Sequence, residues 1–93
     1  LMHMVISNAH AGDPYKIDTL FMYMANMSWN SSMNTTGVQD MLADRDESGE
    51  YVIPRIIYSD AYSSEMVAYA DLILPDTTYL ERHDCISLLD RPI

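Results

Sequence analysis

Three short apolar runs dominate the chain, and most polar positions fall between them. The runs are Thr19–Ala25, Val52–Tyr58 and Leu72–Leu74. Nearly continuous apolar runs of this length are typical of parallel strands covered by helices on both faces. We therefore predict three parallel strands that are buried on both faces. Pro54 cannot donate a backbone hydrogen bond, so it should lie near the start of its strand or at an edge.

The polar segment after the first run predicts a short helix over about Gly37–Ala43. Thr36 and Gln39 have the spacing of a capping box, in which each side chain bonds the backbone of the other. The apolar positions expected on the inner face of this helix are Val38, Met41 and Leu42.

A second short helix is predicted between the second and third runs. Ser63 or Ser64 can cap it, Glu65 in the first turn complements the helix dipole, and the helix should end near Ala70. Alternating strands and helices indicate an α/β fold: a small parallel sheet of about three strands with two short covering helices, a Rossmann-like half unit.

The remaining segments are predicted as connections. Leu1–Ile6 is apolar enough for a short strand or helix, Asn8–Tyr15 should contain a turn, and Asp44–Glu50 should form a charged surface loop. A chain of 93 residues has room for a single domain, residues 1–93. Because it starts on Leu1 and stops at Ile93 without the features of natural termini, we expect it to be a segment of a longer polypeptide.

Composition narrows the classes of function. The formal charge is −9, which argues against nucleic-acid binding because that requires a positive field. Cys85 is the single cysteine, so no internal disulfide can form. No apolar run approaches the roughly 20 residues of a membrane-spanning helix.

Candidate ligand-binding residues follow the predicted strands. In an open parallel sheet, ligands bind outside the carboxyl ends of the strands. Ser59 and Asp60 occupy such an end, and Asp60 could accept hydrogen bonds from a ribose or a base edge, or could instead be a turn or cap residue. The loop Asn26–Thr36 follows another strand end but contains no glycine-rich phosphate motif, so its composition favours an ordinary connection over a ligand-binding loop.

Two further candidates lie after the third run. Arg82 is a plausible partner for a phosphate or carboxylate, although a surface network with Glu81 or Asp84 would also explain it. His83 and Cys85 supply too few ligands for a structural zinc site, so no metal site is predicted. Cys85 as a nucleophile beside His83 is the other possibility for this pair and is not favoured, so no catalytic residue is predicted.

Taken together, these segments resemble a known family. Asp13–Asn26 is similar to the pattern P-Y-x-I-x-x-L-F-x-Y-x-x-N, which opens the third domain of molybdopterin oxidoreductases. Ser59–Glu81 resembles the signature D-x-x-x-T-E-x-x-x-Y-A-D-x-x-L-P-x-x-T-x-L-E of the same superfamily, the dimethyl sulfoxide reductase type. The segment Glu81–Asp84 is most similar to the branch that contains polysulfide and thiosulfate reductases and sulfite-oxidising enzymes.

The resemblance implies a role in cofactor binding. In this family the third domain holds one guanine dinucleotide tail of a bis-molybdopterin guanine dinucleotide cofactor carrying molybdenum or tungsten. The matching positions here are Asn26, Ser59, Asp60 and Arg82. Asp60 would bond guanine or ribose, whereas Asn26 and the loop after it would lie near the pyrophosphate.

The resemblance also implies what lies elsewhere. The ligand to the metal, the iron–sulfur cluster and most of the substrate funnel belong to other parts of such an enzyme, so this segment alone should be inactive. Expected partners are the remaining domains and an electron-transfer subunit of a cytoplasmic or periplasmic bacterial enzyme. The isolated segment could also self-associate.

Two alternatives without redox activity stay open. One is a free-standing acidic receiver-like domain with Asp60 as phospho-acceptor, which would also need an acidic pair after the first strand and a lysine after a later one. The other is an interaction domain that binds a partner through its Met-rich and Tyr-rich surface.

Overall fold

The computed structural model describes residues 4–26, 29, 34–83, 87–88 and 91–92. Within these residues the helices are α1 (Val5–Ala11), α2 (Thr35–Ala43) and a 3₁₀ helix (Glu65–Tyr69). The strands are β1 (Thr19–Tyr23), β2 (Arg55–Asp60), β3 (Leu72–Pro75), β4 (Ser87–Leu88) and β5 (Arg91–Pro92).

A parallel three-stranded sheet in the order β1-β2-β3 forms the centre of the described structure. β1 pairs with β2 from Thr19↔Arg55 to Tyr23↔Ser59, and β2 pairs with β3 up to Asp60↔Pro75. The predicted small α/β fold is therefore confirmed. β4 and β5 form a separate two-residue antiparallel pair.

The hydrophobic core lies on one face of this sheet. Alternate residues of β1 and β2 are buried, among them Leu20, Met22 and Tyr58. The helices contribute the other side of the same cluster, whose remaining buried members are Ile6, Ala9, Val38, Leu42, Ile53, Ile56 and Met66.

The prediction that the strands are buried on both faces is wrong for the described structure. Burial in β1 alternates strictly, and Phe21 and Tyr23 are 56% and 53% exposed. All four residues of the edge strand β3 are exposed. The reason is that the described helices join the core on a single face. An apolar run indicates that burial of the strand is favourable, but it does not indicate which element packs against each face.

Strand β2 begins later and ends later than predicted. Pro54 precedes its first residue, as its missing N–H requires, whereas Ser59 and Asp60 belong to the strand itself. Asp71 aligns β2 with β3, because its carboxylate accepts from the Ile56 N–H at 2.8 Å and its own N–H donates to the Ile56 carbonyl at 2.8 Å.

The end of α1 and the cap of α2 differ from the predictions. α1 continues beyond Ile6 as far as Ala11, and the turn predicted within Asn8–Tyr15 begins at Gly12, which caps the helix in the left-handed region with φ 71°. α2 is capped by Asn34, whose side-chain oxygen accepts from the Gly37 N–H at 3.1 Å, and not by Thr36. A side chain on Gly37 would overlap the Asn34 amide, so this cap depends on glycine.

The other connections are close to expectation. Asp44–Glu50 is an exposed loop, ordered by the Asp46 carboxylate, which accepts from Ser48. The hydrogen bond from the Ser48 hydroxyl lowers the pKa of Asp46. The second predicted helix is present as the 3₁₀ helix, but the Ser64 hydroxyl does not cap it and is used elsewhere.

Replacement of the observed cap should destabilise the chain. Asn34→Ala removes the side-chain acceptor of the first helical turn, and we expect a loss of about 1 kcal/mol in the free energy of unfolding, measured with urea. Thr36→Ala is the matched control and should change that free energy by less than about 0.5 kcal/mol, because Thr36 lies within the helix and does not cap it. A larger loss for Thr36→Ala than for Asn34→Ala would contradict the assignment.

Candidate functional site

The carboxyl ends of β1 and β2 meet at one edge of the sheet. The two strands are parallel with Tyr23 opposite Ser59, and the Met24 N–H donates to the Ser59 carbonyl at 2.9 Å. Asn26 lies two residues after Met24 in the chain, and Asp60 is the last residue of β2. The chain therefore brings Asn26 and Asp60 to the same edge, where ligands of parallel sheets bind.

The hydroxyl of Tyr58 organises this edge from inside the core. The Tyr58 residue is fully buried, and its hydroxyl oxygen lies 3.0 Å from Asp60 Oδ2, 2.6 Å from Ser64 Oγ and 3.2 Å from the Ala25 carbonyl. A tyrosine hydroxyl has one proton to donate. Donation to the charged Asp60 is the stronger bond, and the Ser64 hydroxyl then donates to Tyr58.

The pKa of the Tyr58 hydroxyl is raised above its usual value. Burial is the largest cause, because it removes the ionised form from water. The hydrogen bond with Ser64 lowers the pKa of Tyr58, whereas the hydrogen bond to Asp60 raises it further. Tyr58 is thus held as a neutral donor for the Asp60 carboxylate.

Asp60 combines a turn role with spare acceptor capacity. Its Oδ1 accepts from the Tyr62 N–H at 3.2 Å, while its Oδ2 accepts from Tyr58. A carboxylate has about four acceptor positions, so these two bonds leave room for donors from a ligand.

A cleft of about 230 Å³ lies next to Asp60 between the ends of β2 and β3. Its lining includes Tyr58, Asp60, Tyr62, Ile73 and Pro75. A larger cavity of about 300 Å³ lies near the amino ends of β2 and β3, between α2 and the 3₁₀ helix. The smaller cleft is the candidate ligand site, because it lies at the carboxyl edge of the sheet, where ligands of parallel sheets bind.

Asn26 is bound to the beginning of the 3₁₀ helix. Its Nδ2 donates to Glu65 Oε2 at 2.5 Å. Its Oδ1 is buried and has no hydrogen-bond partner among the described residues. A buried acceptor that stays unsatisfied costs about 1–3 kcal/mol, so a donor from a bound molecule would explain it.

Ser59 lies on the other face of the sheet from Asp60. Successive strand residues point to opposite faces, so Ser59 shares the open face with Tyr23 and Leu74, its neighbours in the register. The two adjacent residues therefore do not converge, and a ligand touching both side chains would have to cross the edge of the sheet.

Arg82 is held at this edge by groups that the sequence did not indicate. Its Nη1 donates to Asp76 Oδ2 at 3.5 Å and its guanidinium lies 4.9 Å from the centre of the Tyr79 ring. Asp76 also accepts from the Tyr23 hydroxyl at 3.3 Å, and its N–H donates to the Asp60 carbonyl. The Arg82 side chain is 22% exposed, so its charge remains reachable.

The contact that the structure describes for the Arg82 charge is with Asp76, whereas the predicted partner Asp84 lies outside the described residues. Glu81 instead accepts from the backbone and hydroxyl of Thr78 at 2.8 and 2.9 Å, and the backbone bond is the main cause of its lowered pKa. Asp84 and Cys85 lie outside the described residues, as do residues 27–28 and 30–33 of the loop after Asn26.

Sequence reasoning missed Tyr58, Glu65 and Asp76 as members of the site. Two of these residues have a signal in the sequence. Asp76 follows β3 much as Asp60 ends β2, and the two-residue period of strands puts Tyr58 on the same face as Asp60. The bond between Asn26 and Glu65 spans 39 positions and has no local signal.

The described residues also bear on metal binding and on membrane insertion. No three or more His, Cys, Asp or Glu side chains gather among them in a way that could hold a metal ion. Among the helices that the structure describes, none has the length and apolar character needed to cross a bilayer.

Comparison with known proteins relates the chain to an oxidoreductase. The chain is 62% identical, over all 93 residues, to a subunit of the sulfite dehydrogenase from Allochromatium vinosum. It spans about 10% of the length of that protein. No family model and no solved structure matches the chain.

Removal of the Tyr58 hydroxyl should destabilise the fold. Tyr58→Phe leaves Asp60 and Ser64 each without this partner, and we expect a loss of about 1–3 kcal/mol in the free energy of unfolding. Tyr62→Phe is the control, because Tyr62 is 72% exposed, and should have little effect. Equal free energies for the two variants in urea titrations would argue against the role of Tyr58.

The raised pKa of Tyr58 also predicts a pH dependence. A group whose folded pKa exceeds its unfolded value stabilises the fold below the unfolded value, about pH 10 for tyrosine, and loses that contribution as the pH rises through the folded value. The free energy of unfolding should therefore fall more steeply above about pH 10 in the parent chain than in Tyr58→Phe. Parallel pH profiles would contradict this assignment.

Proposed function

We propose that this chain is part of the catalytic subunit of a molybdopterin oxidoreductase of the dimethyl sulfoxide reductase type. Two observations support the proposal: the signature-like segment Ser59–Glu81, and the 62% identity to part of a sulfite dehydrogenase. By similarity to that relative, the whole protein oxidises sulfite or a closely related small sulfur oxyanion. The metal and its two pterins would supply the two-electron chemistry.

The role proposed for this segment is to bind one guanine dinucleotide tail of the cofactor. The observation that carries the proposal is the meeting of Asn26 and Asp60 at the carboxyl edge of parallel strands, beside a cleft. The groups at this edge fit such a tail. Asp60 and the unsatisfied oxygen of Asn26 suit the N–H and O–H donors of guanosine, and Arg82 suits a phosphate.

Ser59 and Arg82 would act on the open-face side of the same edge. Arg82 already has Asp76 as a counter-ion, so a phosphate would share the guanidinium with that carboxylate. A tail extending around the end of β2 could reach both Asp60 and Ser59, although their side chains point to opposite faces. In this arrangement the segment positions the cofactor and carries no catalytic group.

The open face of the sheet suits a partner within the same enzyme. Its apolar side chains, in register across three strands, are Phe21, Tyr23, Ile57, Leu72 and Leu74. We propose that the remaining domains of the parent polypeptide cover this face. The same surface favours the alternative of an interaction domain, and the isolated chain should self-associate through it.

The receiver-like alternative has no specific support. The residues directly after β1, Met24 to Asn26, include no acidic pair, and no lysine follows β2 or β3 within the described residues.

The test is the cofactor content of the complete gene product. The purified protein should contain molybdenum or tungsten together with guanine nucleotide, measured by elemental analysis and by chromatography after acid release. Asp60→Ala should lower the retained guanine nucleotide at least about tenfold, because it removes hydrogen bonds to a charged acceptor. Asp40→Ala is the control, since Asp40 is exposed on α2. A gene product without metal and guanine nucleotide would refute the proposal.

A further inference from the structure

The contact between Asn26 and Glu65 determines which end of the Asn26 amide is left without a hydrogen-bond partner among the described residues. An ionised carboxylate can only accept hydrogen bonds, so the Asn26 nitrogen must face Glu65. The carbonyl oxygen is thereby turned away from Glu65, and it has no partner among the described residues.

We propose that Glu65 is a positioning residue that fixes Asn26 as a hydrogen-bond acceptor for a nucleoside donor. The donor is an N–H of the base or a hydroxyl of the ribose. This inference rests on the proposed function and refines it, because Asn26 then contacts the nucleoside and not the pyrophosphate expected from the family resemblance. A phosphate oxygen is itself an acceptor and cannot satisfy the Asn26 carbonyl.

The charges around this edge agree with the assignment. Asp60 and Glu65 are acidic, and the two are linked through the Tyr58–Ser64 hydrogen bond and the backbone of the 3₁₀ helix that Ser64 precedes. Two carboxylates repel a phosphate but attract N–H and O–H donors. Arg82, which could attract a phosphate, lies away from these two carboxylates, beyond the end of β3, where it contacts Asp76. The edge is therefore divided into an acceptor side and a cationic side.

The alternative explanation is structural. The Asn26–Glu65 bond would then only tie the segment after β1 to the 3₁₀ helix, and loss of Glu65 would change stability without changing nucleotide preference. The experiment must therefore read out ligand selectivity and the state of the Asn26 amide as well as stability.

The decisive variant is Glu65→Gln in the 93-residue chain, titrated with GMP by calorimetry. Glutamine keeps the size of Glu65 but can donate as well as accept, so it no longer dictates the orientation of Asn26. We expect GMP affinity to fall about tenfold. Glu47→Gln makes the same charge change in the exposed loop Asp44–Glu50 and should leave the affinity unchanged.

A second measurement is nuclear magnetic resonance of the chain with isotope-labelled asparagine, which reports the hydrogen bonding of the Asn26 amide. GMP should shift the Asn26 Cγ resonance of the unmodified chain, because the attached oxygen gains a donor, while the Nδ2 protons stay bonded to Glu65. Inorganic phosphate at the same concentration should shift neither. A comparison of GMP with its 2′,3′-dideoxy analogue identifies the donor: an equal effect of Glu65→Gln on both ligands indicates the base, and an effect on GMP alone indicates the ribose.

The outcomes separate the two proposals. GMP binding that is insensitive to Glu65→Gln, absence of GMP binding, or a Cγ shift with inorganic phosphate would each overturn the role given to Glu65. The proposed function is judged separately by the guanine nucleotide and metal in the complete gene product. Guanine nucleotide there, with no effect of Glu65→Gln on the chain, would leave the function standing and remove only this inference.

Discussion

The hydroxyl of the fully buried Tyr58 is the constraint on which the candidate site depends. A phenol in a hydrophobic core must have hydrogen-bond partners, and here they come from three segments: the end of β2, the residue before the 3₁₀ helix and the chain leaving β1. Because its ring is fixed by the packing of the core, the groups bonded to its hydroxyl are fixed too. The carboxyl edge of the sheet is thus held by the core and not by a loop alone.

The chemistry of that edge follows from its uneven distribution of donors and acceptors. Asp60 and the Asn26 carbonyl offer acceptors on one side, and the Arg82 guanidinium offers donors beyond β3. A nucleotide has the same polarity, since its base and sugar carry donors while its phosphates carry acceptors. The two arrangements are complementary, and this gives the proposed orientation of the tail a physical basis.

The fold and part of the site are predictable because their signals are local. Apolar runs separated by polar segments predict strands and helices, and their alternation predicts a parallel sheet with its ligand-binding edge at the strand ends. The positions of Asn26 and Asp60 at that edge follow from the same signals. The cap of α2 is predicted at Thr36 but observed at Asn34, because both residue types favour caps and neighbouring positions compete.

Sequence by itself determined the strands, their direction and the polar residues at their carboxyl ends, because each depends on hydrophobic period and on the order of elements. Only the tertiary structure decided which face of the sheet is covered, that Tyr58 and Glu65 bond to Asp60 and Asn26 respectively, and that Arg82 pairs with Asp76. These features depend on contacts between residues that are distant along the chain or on opposite sides of a turn. The hydrophobic and polar pattern of a single segment does not indicate which distant residues that segment contacts in the folded chain.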